Sequence, residues 1–148
     1  MVERINEKAL AARIEKPLVK EGAVIISLRA AFPQLLAIYA FGSRIEGTAR
    51  VDSDLDLSIL VAGYAGPLQL WEIASQLSDV AGCPVELLDL RAASTVMQYQ
   101  VITKGKLLWG KHPETALFEC FVLSEKNELD VARAGLLTDI AKRGNVYD

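Results

Sequence analysis

An α/β fold, with a small mixed sheet flanked by helices and a long C-terminal helix, is what the 148-residue sequence predicts. Three observations carry that prediction. Short apolar runs at Leu35–Phe41, Asp54–Val61 and Pro84–Leu90 read as strands; longer segments between them repeat their apolar residues at helical steps; and the last such segment runs from Glu114 to about Arg143 before Gly144 stops it. The length fits one compact domain. A chain of this size buries about 68–70% of the surface its unfolded form exposes, so its core needs neither disulfides nor a structural metal.

Val2–Lys16 carries Val2, Ile5, Ala9, Ala12 and Ile14 among charges, which predicts a helix that Pro17 interrupts. A second helix begins at Pro17, a residue suited to the first helical position, and sets Leu18, Val24, Leu28 and Phe32 on one face before ending at or before Pro33. Leu35–Phe41 is a buried strand that meets a tight turn at Gly42-Ser43. In the next strand Asp54, Asp56, Ser58 and Leu60 alternate with Leu55, Leu57, Ile59 and Val61, giving two chemically different faces.

Gly63–Pro67 is turn chemistry, and Leu68–Val80 follows as a helix with Leu70, Ile73 and Leu77 in phase, closed by Ala81-Gly82. Pro84–Leu90 is a strand, Ala92–Lys104 a helix ended by Gly105, and Lys106–Gly110 a short terminal strand. The final helix repeats Phe118, Val122, Leu129, Ala132, Leu136 and Ile140 at helical steps. The acidic strands are expected to floor a cleft, with the helices covering the opposite face of the sheet. No internal repeat or linker divides the chain.

A net charge of −3 gives no basic footprint for gripping nucleic acid. The two cysteines, Cys83 and Cys120, lack zinc-ligand spacing and stand far in sequence from the single histidine, His112. They read as small buried hydrophobes, and Trp71 and Trp109 as core or interface anchors. The charged N-terminus lacks the apolar core of an export signal, and no run approaches the ~18 apolar residues of a membrane span. The expected location is the cytoplasm, with no membrane and no direct nucleic-acid partner.

The informative unit is AFGSRIEGTARVDSDLDLSIL, in which Gly42-Ser43 precedes the pair Asp54-x-Asp56 at the start of a strand. Residues i and i+2 of a strand point the same way, roughly 6.5–7 Å apart, so the two carboxylates converge and repel. A divalent cation is their natural compensation, and oxygen-only ligands suit Mg²⁺ or Mn²⁺. Mg²⁺ keeps waters and binds carboxylates together with substrate phosphates, so a phosphate-bearing ligand is implied. Gly42 lets backbone approach a phosphate, Ser43 adds a hydroxyl and amides, and Arg44 adds either a forked cation for phosphate or a surface pair with Glu46.

The order strand, Gly-Ser turn, spacer and Asp-x-Asp strand resembles the polymerase-beta-like nucleotidyltransferase superfamily. GSRIEGTARVDSDLDLSIL, VELLDLR and FECFVLSEKNELDVARAGLLTDIAKRG together resemble, more narrowly, the minimal nucleotidyltransferase (MNT) antitoxins of HEPN/MNT toxin–antitoxin pairs. The resemblance implies a polymerase-beta-like nucleotidyltransferase fold for a domain at residues 17–148, with residues 1–16 as an N-terminal helical extension. It implies that Asp54, Asp56 and a third carboxylate hold two Mg²⁺ ions and catalyse transfer of AMP from ATP, while Gly42, Ser43 and Arg44 bind the nucleotide.

The third carboxylate is matched to Glu86, because Asp89 shares its strand face with Val85 and Leu87 and falls near the strand end. The implied acceptor is a hydroxyl, on a tyrosine of a cognate HEPN ribonuclease toxin that the modification silences in a hetero-oligomer. Two alternatives stand beside it: a non-catalytic antitoxin acting by contact alone, and an aminoglycoside-type small-molecule adenylyltransferase.

Overall fold

The structure is a computed structural model that describes residues 21–47 and 53–143. The helix expected over Val2–Lys16, the extension at residues 1–16, and the start of the second helix at Pro17 lie outside the described residues.

The described chain runs α1 (Glu21–Ala31), β1 (Leu35–Phe41), α2 (Ser43–Glu46), β2 (Leu55–Val61), α3 (Pro67–Ala81), β3 (Val85–Asp89), α4 (Thr95–Lys104), β4 (Lys106–Gly110) and α5 (Glu114–Arg143). Each predicted element there is present; β1, β4 and α5 have the predicted bounds, and the ends of the others shift by one to three residues. The largest shift is at α4, which begins at Thr95 because the Ser94 hydroxyl accepts the Met97 N–H and caps the helix. α3 starts on Pro67 and stops where Gly82 takes a left-handed conformation and donates to the Ser78 carbonyl.

The sheet order is β3-β2-β1-β4, with β1 antiparallel to both β2 and β4, and β2 parallel to β3. The parallel pair needs a crossover, which α3 supplies. This is the small mixed sheet that the strand pattern predicts.

Helices cover both faces of the sheet, not one as the sequence suggested. Leu55, Leu57, Ile59 and Val61 pack with Ile38 and Ala40 of β1 against Val24 and Leu28 of α1, Phe32 just after it, and Leu77 of α3. On the other face, Ala37, Tyr39 and Leu60 pack against Val101 of α4 and Phe118 and Val122 of α5. The reason is the half-apolar character of that second face: Leu60 and Tyr39 demand cover, whereas Asp56, one strand turn away, does not. The result is a cleft confined to the acidic end of β2.

Tyr39 lies under this second layer and donates its hydroxyl to Glu119 Oε1, tying α5 to the central strand. Burial and the Glu119 carboxylate both push the phenol well above its ordinary range, so it remains a donor. Tyr39→Phe leaves Glu119 without this partner. Thermal unfolding of that variant is expected about 2–4 °C lower, the loss of roughly 1 kcal/mol of hydrogen bonding. From Val131 to Arg143 every residue of α5 is exposed, so the helix extends beyond the body it packs on.

Candidate active site

Strand register sets the site. Phe41 of β1, Asp56 of β2 and Glu86 of β3 are partners in one row across the sheet. Asp56 and Glu86 therefore leave the same face of adjacent strands, and their carboxyls share a hydrogen bond. Asp54 stands two residues before Asp56, just ahead of the first residue of β2, and is half-buried. The charge of Asp54 lies near enough to Asp56 to push that carboxyl up.

The turn that follows β1 is built against these acids. Gly42 has φ 80° and ψ −162°, a region open essentially to glycine alone. A Cβ there would lie 2.2 Å from Asp56 Oδ2. The Gly42 carbonyl accepts the N–H groups of Ile45 and Glu46, which makes the turn one short helix, α2. First-turn amides point outward from the N-terminal end of such a helix, where Ser43 begins it beside the carboxylates.

Arg44 is 8% exposed and donates through Nε and Nη2 to the Ser53 carbonyl, the residue that leads into Asp54. Its guanidinium is engaged on backbone and does not stand on the surface as a partner for Glu46. Its charge still reaches Asp56 and opposes the rise of that carboxyl. Sequence reasoning missed this clamp, because the pairing depends on the path of the chain between the two residues; only an arginine placed just after the Gly-Ser turn hinted at it.

Asp89 points to the opposite face from Glu86. It is 6% exposed, and its Oδ2 accepts the Ala65 N–H at 3.0 Å. That bond holds the loop after β2, so Asp89 has a structural task away from the acidic row. Neither cysteine is fully buried, and Cys120 is exposed, which corrects the expectation for both. Trp71 is 70% exposed on α3 and anchors no part of the core. Trp109 packs at the edge of the first core layer with Arg29 stacked over its ring at 4.9 Å.

Burial, followed by the Glu86 hydrogen bond and the charges of Glu86 and Asp54, pushes the Asp56 carboxyl from 3.8 up to about 6. The protonated form is thus favoured in the fold. This contribution to stability is full below the unfolded value of 3.8 and is lost as pH rises through about 6. In EDTA at pH 8, Asp56→Asn is therefore expected to be more stable than the parent by about 1 kcal/mol, after discounting for solvent screening of a half-exposed group. The difference should vanish toward pH 4 when thermal unfolding is compared at the two pH values.

Among the described residues no three acidic, cysteine or histidine side chains form a ready-made metal cage. The donor set nevertheless fits a hard cation. Two carboxyls that share a hydrogen bond and a third that repels them present only oxygen ligands, and all three carry net negative charge when the shared proton is displaced.

A family model described as polymerase beta, nucleotidyltransferase matches residues 14–114. A curated relative, protein adenylyltransferase MntA of Shewanella oneidensis, is 37% identical over 122 residues, which is 82% of this chain and 88% of the relative. A solved toxin–antitoxin structure with AMP-PNP aligns with a TM-score of 0.72 at 37% identity, covering 82% of this chain and 98% of the other. A second, the tri-AMPylated Shewanella oneidensis HEPN toxin in complex with MNT antitoxin, aligns with a TM-score of 0.68 at 34% identity, covering 84% and 98%.

Proposed function

The chain belongs to the polymerase beta nucleotidyltransferase family, and on that premise we propose that it is an antitoxin that transfers AMP from ATP to a hydroxyl of a HEPN ribonuclease toxin and so silences it. The observation that carries this reading is the contact between the Gly42 backbone and the Asp56 carboxylate, with no room for a Cβ between them. A phosphate-type turn pressed against paired acids serves a ligand that is both phosphorylated and metal-bound.

Asp54 and Asp56 would hold Mg²⁺, and Glu86 would share a second ion. When bound, the metal supplies charge neutralisation at the phosphates and lowers the pKa of the attacking hydroxyl. The remaining work belongs to the chain. Gly42 and Ser43 seat the triphosphate, and Arg44 holds the segment leading into Asp54 while adding positive charge to the site. Glu86 receives the proton of the attacking hydroxyl as its oxygen bonds to the α-phosphorus; the bond from that phosphorus to the bridging oxygen breaks, and pyrophosphate leaves. A tyrosine acceptor, with an ordinary pKa near 10, needs such a base.

The distal half of α5 supports the hetero-oligomer. Val131, Leu136, Leu137 and Ile140 are exposed there, and ion pairs Lys126–Asp130 and Arg143–Asp139 stiffen the same helix. We assign association with the toxin to this helix, within a domain at residues 17–148. No helix among the described residues is long and apolar enough to cross a membrane.

The test is mass spectrometry of the HEPN toxin after incubation with this chain, ATP and Mg²⁺. The toxin should gain about 329 Da per AMP, the mass left when pyrophosphate departs. No gain, or an equal gain in EDTA, contradicts the reading. The roles of the two acids of β3 separate in the same assay. Glu86→Gln should depress turnover about 10²-fold with an unchanged melting temperature, whereas Asp89→Asn should lose stability by about 1–2 kcal/mol, because its amide oxygen is a weaker, uncharged acceptor for the Ala65 N–H and its NH2 is buried without a partner, and retain most turnover.

A further inference from the structure

We infer that the groove along the free edge of β3 seats the acceptor tyrosine of the toxin, with its ring between Trp71 and Met97 and its hydroxyl at Glu86. This rests on the proposed transferase activity and adds to it the side from which the acceptor enters. A cavity of about 510 Å³ opens there, walled by Leu70, Trp71 and Ala74 of α3, by Met97 at the start of α4, and by β3 itself. β3 is the outer strand of the sheet beyond β2, so nothing in the described chain pairs with its far edge.

Three features select a phenol over other occupants. The walls are apolar, and among the described residues Glu86 is the one charged side chain lining the cavity. A tyrosine matches that pattern, with a flat apolar ring and a single donor at its tip. An adenine base does not, since its ring edge asks for several donors and acceptors that these side chains lack. Two of the wall residues are little used by the fold: Trp71 is 70% and Met97 40% exposed, and an exposed aromatic beside an acid is the composition of a contact anchor more than of a surface.

Register supplies the direction. In the row Phe41, Asp56, Glu86, the turn that would seat the triphosphate follows Phe41 on one side of Asp56 and Glu86 stands on the other, and the cavity, which both Phe41 and Glu86 line, runs between them. In-line displacement needs the nucleophile opposite the departing pyrophosphate, so an acceptor entering over β3 faces a nucleotide held over β1.

The experiment compares the parent with Trp71→Ala and Ala74→Arg, one removing a wall and the other filling the groove. The expected result is a fall of about 10-fold or more in kcat/KM for the HEPN toxin, with the dissociation constant for Mg·ATP within about twofold by calorimetry. In parallel, a benzophenone amino acid placed at Met97 should crosslink, on illumination of the complex, to the toxin segment that carries the AMP. Unchanged toxin kcat/KM in both variants, weakened Mg·ATP binding in both, or a crosslink confined to other parts of the toxin overturns the groove assignment. A variant that fails to fold leaves the decision with the crosslink. Failure of the parent to transfer AMP at all refutes the transferase reading itself, and is distinguished by that control.

Discussion

Asp54→Asn is expected to lower AMP transfer about 10³-fold or more, the scale of removing one preorganised electrostatic partner of a transition state, while its melting temperature stays close to the parent's. Asp54 is half-buried at the mouth of β2, and its charge raises the neighbouring Asp56 carboxyl. Removing that charge relieves a repulsion and, on the proposed mechanism, deletes a cation ligand, so stability and activity move independently. Rate measurement with the HEPN toxin, paired with calorimetric unfolding, checks both. A drop of more than about 2 kcal/mol in stability would make Asp54 a structural residue instead.

Gly42→Ala should be as damaging to activity and should also weaken the fold. At φ 80° and ψ −162° an alanine is strained by about 1–3 kcal/mol before any contact is counted. Its Cβ would then fall 2.2 Å from Asp56 Oδ2, so either the carboxylate or the turn must move. Each movement separates the phosphate seat from the acids. The expected outcome is a loss of about 3 kcal/mol or more in denaturant unfolding, together with transfer too slow to follow. Gly47→Ala is the control: it has the same φ of 80° with nothing within 4 Å of an added Cβ. It should cost about 1–2 kcal/mol and keep transfer measurable.

The strands and their faces were legible because a period of two is unambiguous. Leu55, Leu57, Ile59 and Val61 all face the first core layer, and the intervening Asp56 and Ser58 do not. The same rule puts Glu86 beside Asp56 and turns Asp89 away. Other features were hidden because they depend on chain path or packing at a distance. Arg44 donates to the Ser53 carbonyl nine residues on, a pairing that no local pattern encodes. Tyr39 finds Glu119 eighty residues later, on a helix where that acid is one charge among many. Helical cover of the second sheet face followed from Phe118 and Val122, which lie in the first third of α5 and look, in sequence, like the start of one long uniform stripe.

That stripe divides in two. Phe118 and Val122 are buried under the sheet, whereas Leu136 and Ile140, one turn apart on the same side of the helix with Leu137 beside them, remain exposed. An apolar row this far from any core supports contact with a partner, which gives contact-only neutralisation a physical basis alongside catalysis. The two mechanisms draw on different parts of the molecule, α5 for one and the acidic row for the other.

Protection of RNA by the Asp54→Asn variant separates them most directly. The toxin is mixed with parent or variant at equal concentration, with ATP and Mg²⁺, and RNA cleavage is followed. The catalytic account predicts full protection by the parent at substoichiometric amounts, and cleavage continuing with the variant although it still associates with the toxin. Protection by Asp54→Asn equal to the parent's at every ratio would contradict it.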